Sequence, residues 1–366
     1  MTGHYESRIG VVIIGRNEGE RLKQCLQSVL AQREACGPII YVDSGSTDGS
    51  VDYARSVGVE VVELDISRPF TMARGRNAGF RRLMELEPTT RFVQFVDGDC
   101  QVCDGYLEAA RQALIQRDDV AVVCGRRRER YPEASIYNRL CDMEWGRTLG
   151  EIDYCGGDMM VRAEVFRKVG MFNEAMIAGE EPEMCVRIRR AHGKIMRIDH
   201  DMTWHDAAMS RFSQWWRRAM RGGHAYADGA ALHGKQPTRH NVRQVRSALF
   251  WGVAVPFVIV ACGTVGFWWY PAWFGAATAI AGYPILGWKV ARGMRRRGYD
   301  PADARLYAAA CVIAKFPGAL GIGRYWWNRS RRNPSTLIEY KTASINHSQS
   351  FRRVSSGNDV PAESVQ

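Results

Sequence analysis

The sequence predicts an α/β fold, a mostly parallel β-sheet with helices on both faces, followed by a membrane-associated helical region. Short apolar, β-rich runs alternate with helical patterns through the first 130 residues. The loops that close those runs are polar, and two of them are rich in carboxylates. Further along, residues 247–288 form 42 consecutive residues without a charge, about twice the roughly 20 needed to cross a bilayer as a helix.

The sheet opens with "IGVVII" (9–14). The residues before it are polar and the run is short and strand-like, so no secretory signal is expected. A helix follows, with Leu22, Leu26, Val29 and Leu30 on one face. The next strands are "PIIYVD" (38–43), "GVEVVELD" (58–65), "RFVQFVD" (91–97) and "DVAVVCG" (119–125). Helical stretches separate most of them, which makes the connections crossovers and the sheet mostly parallel. In such sheets ligands bind beyond the carboxyl ends of the strands. Here those ends read "GRNEGE", "DSGSTDGS" and "DGDC".

Charge divides the chain. Residues 1–205 hold 28 Lys and Arg against 32 Asp and Glu, and residues 206–366 hold 22 against 7. A basic C-terminal half fits nucleic acid or an anionic membrane surface. The uncharged run decides for the membrane, and nucleic acid is not an expected partner. Pro271 interrupts the run beside the aromatic "FWWYPAWF", of the kind found at membrane interfaces. Two transmembrane helices are expected at about 247–269 and 272–290, joined by a tight turn at 269–272. Both flanks, "RQVRSA" and "KVARGMRRRGYD", are basic. This puts both ends, and the α/β domain, on the cytoplasmic side of the inner (plasma) membrane. The stretch 304–323 contains Lys315 and Pro317 and is expected as an interfacial or re-entrant helix. The divisions are then 1–235 for the α/β domain, 236–333 for the membrane-associated region and 334–366 for a polar, disordered tail. The ten cysteines are expected to stay reduced.

"VDGDCQVCDG" (96–105) offers two metal-binding chemistries. Asp97 and Asp99 carry hard oxygens, suited to Mg2+ or Mn2+ beside a phosphate. Cys100 and Cys103 have C-x-x-C spacing, but a structural zinc site needs about four ligands and no second pair exists. The carboxylates are therefore the expected site. Arg16 and Glu18 occupy the loop after the first strand. Asp43, with Ser44 beside it, ends the second and suits hydrogen bonds to a base or ribose. Arg74 is expected on a solvated face and Arg76 near a bound diphosphate. In "GEEPEMCVRIRR" Pro182 suits the first helical position, which puts Glu181 at the N-cap, ionised by the helix terminus. Met184, Cys185 and Ile188 form its inward stripe.

"VVIIGRNEGERL", "YVDSGSTDGS", "GRNAGF", "VDGD" and "GEEPEMCVRIRR", in this order, resemble family 2 glycosyltransferases over roughly residues 8–220. The resemblance implies a GT-A fold, a nucleotide diphosphate sugar donor and inversion at the anomeric carbon. It implies Asp99 as metal ligand, Asp97 near ribose and metal, and Glu18 and Arg76 near the nucleotide. His205 would complete the metal or diphosphate site. The family's Glu-Asp pair, whose Asp is the base, falls on Glu180-Glu181, with Glu181 the first candidate and Asp158 the carboxylate to examine after both. "QWWRR" resembles the Q-x-x-R-W motif of polysaccharide synthases, with Arg218 where Trp is expected. That puts Gln214, Trp215, Trp216, Arg217 and Arg218 on the acceptor side. The arginines of "GRRRER" suit a charged acceptor. The membrane hairpin is similar to that of enzymes building bacterial envelope polysaccharides, and a lipid-linked acceptor follows. A processive synthase and an inactive nucleotide-binding scaffold are the alternatives.

Overall fold

The computed structural model describes residues 9–145, 148–332 and 336–339. Among these, nine strands form one mixed sheet: β1 Ile9–Gly15, β2 Cys36–Asp43, β3 Glu60–Glu63, β4 Phe92–Asp97, β5 Cys100–Val102, β6 Val120–Glu129, β7 Gly150–Glu151, β8 Met159–Arg162 and β9 Lys194–His205. The order is β3-β2-β1-β4-β8-β6-β9-β5, with β7 on β9. The first four strands pair in parallel, as their helical crossovers require. β8 then runs antiparallel between β4 and β6, and β9 runs parallel to β6.

The first six residues of β1 are buried, so the strand is covered on both faces. The register fixes the site's floor. Gly15 pairs with Asp43 and Ile14 with Asp97, so these strand ends lie side by side. The short β5 turns back after Gly98 and pairs Cys100 with His205. β6 runs on to pair Glu129 with the same histidine.

From the α/β domain the chain passes into helix Phe212–His233 and then a continuous helix, Val242–Gly266, with one wide turn at Phe250–Ala254. That turn precedes Pro256, which has no N–H to close a regular turn. Helices Ala272–Arg296, Pro301–Ile313 and Lys315–Ser330 follow. Among the described residues two helical stretches are long and apolar enough to cross a membrane, Val242–Gly266 and the end-to-end pair Pro301–Ser330. Helix Ala272–Arg296, expected as the second crossing, is not among them. Three glycines, Pro284 and Lys289 dilute its apolar stretch. The segment 304–323, expected as interfacial or re-entrant, lies within the longer of the two apolar stretches. Phe267, Trp268, Tyr270 and Phe274 are exposed, Trp268 by 82%, an apolar surface that none of the described residues covers. Of the tail expected from 334, only 336–339 falls within the described residues.

Packing ties the helices to the domain and to one another. Trp215 is buried with Leu140, Met143, Met294 and Ala304. Helix Phe212–His233 also meets helix Lys315–Ser330 backbone to backbone. A Cβ on Gly223 would lie 2.1 Å from the Gly318 carbonyl oxygen, and one on Gly321 2.0 Å from that of Met220. Such contacts admit only glycine. Gly321→Ala is expected to cost about 1–3 kcal/mol, the usual range for overpacking. Thermal unfolding of the detergent-solubilised variant against wild type, with Gly323→Ala as the control in open space, measures it.

Candidate active site

A cleft of about 480 Å³ opens beyond the strand ends. Its walls include Arg16, Glu18 and Ser44 from the β1 and β2 loops, and Asp97, Gly98 and Asp99 from the β4 turn. Glu181, His205, Arg218 and Arg221 line it from the later elements.

A buried arginine ties these parts together. Arg76 is 1% exposed and sits on helix Met72–Leu86. Its Nη2 donates to Asp97 Oδ1 at 2.7 Å, and its Nη1 reaches Glu180 Oε1 at 2.8 Å and Glu181 Oε1 at 3.1 Å. Arg127 grips the other Asp97 oxygen at 2.8 Å and also bonds Asp158. Burial alone would raise the Asp97 carboxyl, but the two guanidinium groups outweigh it and hold it far below the usual carboxylate range. Asp97 therefore lies in the cleft wall with both oxygens already engaged by arginines.

Asp99 and His205 form a second pair. His205 Nε2 lies 3.5 Å from Asp99 Oδ2, and its Nδ1 is 2.9 Å from the buried Glu129 carboxylate. Glu129 fixes the ring with Nε2 toward Asp99, the usual outer-shell support of a metal-binding histidine. A carboxylate oxygen and an oriented imidazole nitrogen converging on a polar cleft fit a divalent cation. Asp97, Cys100 and Asp158 also cluster, with ligand atoms within 4.8 Å of one another. The Arg127 guanidinium bonds all three, at 2.8, 3.2 and 2.8 Å, so that cluster already has its cation. Burial pushes the Cys100 thiol well above its ordinary value and Cys103 up to about 11, which keeps both protonated and poor metal ligands.

Helix Glu180–Arg190 starts two residues earlier than the sequence pattern implies. Gly179 is its N-cap, at φ 82°, and Glu180, Glu181 and Pro182 form the first turn. Proline is tolerated there because the N–H groups of that turn lack helical partners. The inward stripe of Met184, Cys185 and Ile188 is buried. Within the Glu-Glu pair, Glu181 lines the cleft with its side chain 14% exposed, while the Glu180 side chain is fully enclosed. Burial and then the Glu181 charge push Glu180 up to about 7, against the pull of Arg76. A Cβ on Gly157 would lie 2.1 Å from Arg76 Nη2 and 3.0 Å from Glu181 Oε1, so this glycine leaves the room in which the guanidinium and the carboxylate meet.

Several residues expected at the site do other work. Asp43 is buried and accepts from the Tyr41 hydroxyl and the Gly45 and Ser46 N–H groups, which shapes its own loop. Asp158 is buried behind Asp97, accepting from the Asp97 N–H, Arg127 and Thr203. Arg74 is not solvated but buried, donating to the Asp65, Arg68 and Pro69 carbonyls. Of "QWWRR", Arg218 alone lines the cleft. Gln214 accepts from the Ser210 and Arg211 N–H groups and caps its helix. Trp215 and Trp216 pack toward the C-terminal helices, and Arg217 is exposed. Glu129, Gly157 and Arg221 were not singled out from the sequence, and Arg127, one of the "GRRRER" arginines expected to face a charged acceptor, instead grips Asp97 and Asp158. Arg127 and Glu129 follow from strand alternation once β6 runs to residue 129.

Two outcomes are expected. Gly157→Ala should lower activity by displacing Arg76 while the chain stays folded, read by turnover and far-UV circular dichroism. A buried carboxyl raised from 4.5 to about 7 contributes stability that is fully present below pH 4.5 and lost as pH rises through 7. Melting temperature should therefore fall more from pH 5 to pH 8 in wild type than in Glu180→Gln, and equal slopes would reject a raised Glu180.

Comparison with known proteins accords with this geometry. Residues 10–170 match the sequence model of Glycosyl transferase family 2. The fold is similar to that of the mannosyltransferase PcManGT from Pyrobaculum calidifontis, solved in complex with GDP-Man and Mn2+. That match has a TM-score of 0.54 and 18% identity over 88% of each chain. Glucosyl-3-phosphoglycerate synthase from Mycobacterium tuberculosis aligns with a TM-score of 0.46 and 18% identity, over 62% of this chain and 79% of that one. Residues 1–349 of S. aureus TarS align with a TM-score of 0.48 and 13% identity, over 83% of this chain and 90% of that one.

Proposed function

Since the chain carries a family 2 glycosyltransferase domain on a GT-A fold, we propose that it transfers a sugar from a nucleotide diphosphate sugar to a lipid-linked saccharide or lipid. Transfer would occur with inversion, at the cytoplasmic face of the inner membrane, in the synthesis of an exopolysaccharide or other envelope glycan. The observation that carries this reading is the Arg76 bridge. It draws the Asp97 strand end and the Glu180-Glu181 helix start to one cleft, and leaves Glu181 as the carboxylate of the pair that lines it.

Glu181 is the proposed base. Its carboxylate takes the proton of the acceptor hydroxyl as that oxygen bonds the anomeric carbon and the bond to the diphosphate breaks. Arg76 orients the Glu181 carboxylate through the ion pair at 3.1 Å. Asp99 and His205 are the proposed ligands of a divalent metal, Mg2+ or Mn2+, which when bound neutralises charge on the leaving diphosphate. Arg16, Glu18 and Ser44 form the donor end. Arg218 and Arg221 supply positive charge beside Glu181 for an acceptor phosphate. The two apolar helices and the exposed aromatics at 267–274 support a membrane location for that acceptor.

Glu181→Gln keeps the shape but cannot serve as base, and should lower turnover by about 10²–10⁴-fold with donor affinity nearly unchanged. Asp99→Ala should abolish metal-stimulated transfer. Assay of the purified protein with a panel of nucleotide sugars, with and without EDTA, tests both. Full, EDTA-sensitive activity in Asp99→Ala would move the metal elsewhere. Absence of donor turnover by wild type would favour the scaffold reading, and long products the processive one.

A further inference from the structure

We propose that Thr336–Glu339, the segment after the last helix, is a wall of the donor end of this cleft and holds Arg16 in position for the nucleotide. The inference rests on the nucleotide-sugar reading above and adds residues that no strand-end motif contains.

The segment returns to the catalytic domain from the membrane-associated region. Leu337 and Glu339 line the same cleft as Arg16, Ser44 and Phe70. The segment is anchored along its length. The Thr336 hydroxyl accepts from Arg324 Nη2 at 3.3 Å, Ile338 is 5% exposed, and Glu339 Oε1 accepts from Arg16 Nη1 at 2.8 Å.

The Arg16–Glu339 pair joins residues 323 apart in sequence. Both side chains are substantially exposed, at 42% and 58%, and an exposed ion pair adds little to stability. Its consequence is geometric. The Arg16 guanidinium also lies 5.2 Å from the centre of the Phe70 ring. One edge of the planar group is thus held by Glu339 and one face by Phe70. The rest of the donor fork and the apolar Leu337 side chain border the cleft. A flat base with hydrogen-bonding edges, joined to an anionic diphosphate, matches that combination of apolar wall and oriented donor.

The test uses the full-length protein in detergent, titrated calorimetrically with ADP, CDP, GDP, UDP and dTDP in the presence of Mn2+. Leu337→Asp and Glu339→Lys should each weaken the nucleotide that wild type binds by about tenfold. The Michaelis constant for the donor should rise in parallel, with turnover at saturating donor and melting temperature little changed. Leu337→Ala, which adds no buried charge, should move affinity in the same direction. Unchanged affinity in all three variants overturns the wall. Tighter binding in any of them also overturns it, since the segment would then be a plug. If wild type binds none of the nucleotides, the donor reading falls and this inference falls with it.

Discussion

The site depends on a guanidinium buried where three carboxylates converge. Taking an arginine out of water is costly unless its donors are matched by acceptors. Arg76 meets that requirement at both terminal nitrogens, with Asp97, Glu180 and Glu181, while its buried Nε has no hydrogen-bond partner among the described residues. The match also works in reverse. Three carboxylates from a strand end and a helix start could not approach one another without a cation between them. The arginine thus allows the β4 turn and the Glu180–Arg190 helix to meet in a single cleft. Gly157 serves the same meeting from the other side, because any side chain there would occupy the volume of the guanidinium.

Strand register does for Asp99 what Arg76 does for Glu181. β9 pairs with β5 on one edge and β6 on the other, and His205 is in register with Cys100 and Glu129 at once. One backbone position therefore brings together the carboxylate after the β4 turn, the imidazole and the group that orients the imidazole. These contacts come from three strands separated by up to a hundred residues in sequence, and no local motif encodes them.

That difference between local and distant contacts explains what the sequence made legible. The first four strands, their parallel pairing and the D-x-D turn could be read because apolar runs and turn residues act over a few positions. The role of β6 was harder to read. Its last residues, "GRRRE", look like a solvated charged run, yet the strand continues through them and turns Arg127 and Glu129 toward the site. Asp43 and Gln214 illustrate a second difficulty. A carboxylate or amide in a polar loop suits a ligand and its own backbone equally well, and here the backbone uses both. Burial of Arg74 depended on where neighbouring carbonyls turned. Lys315 and Pro317 interrupt the composition of the second apolar stretch more than its helix. The return of 336–339 to the cleft has no local signal at all.

The backbone contact of Gly223 with Gly318 and of Met220 with Gly321 bears on how the enzyme meets its acceptor. Helices that touch through side chains can slide and re-pack. Helices that touch through carbonyls and Cα atoms have almost no slack, because moving apart loses the whole contact and moving closer is impossible. Arg218 lies just before that contact and Arg221 within it, on the same helix. The height of the cleft above the apolar helices is therefore a fixed dimension of the molecule. For the lipid-linked acceptor proposed above, the headgroup would have to span that height itself, so the distance from lipid anchor to reacting hydroxyl would become a ruler against which acceptors are measured.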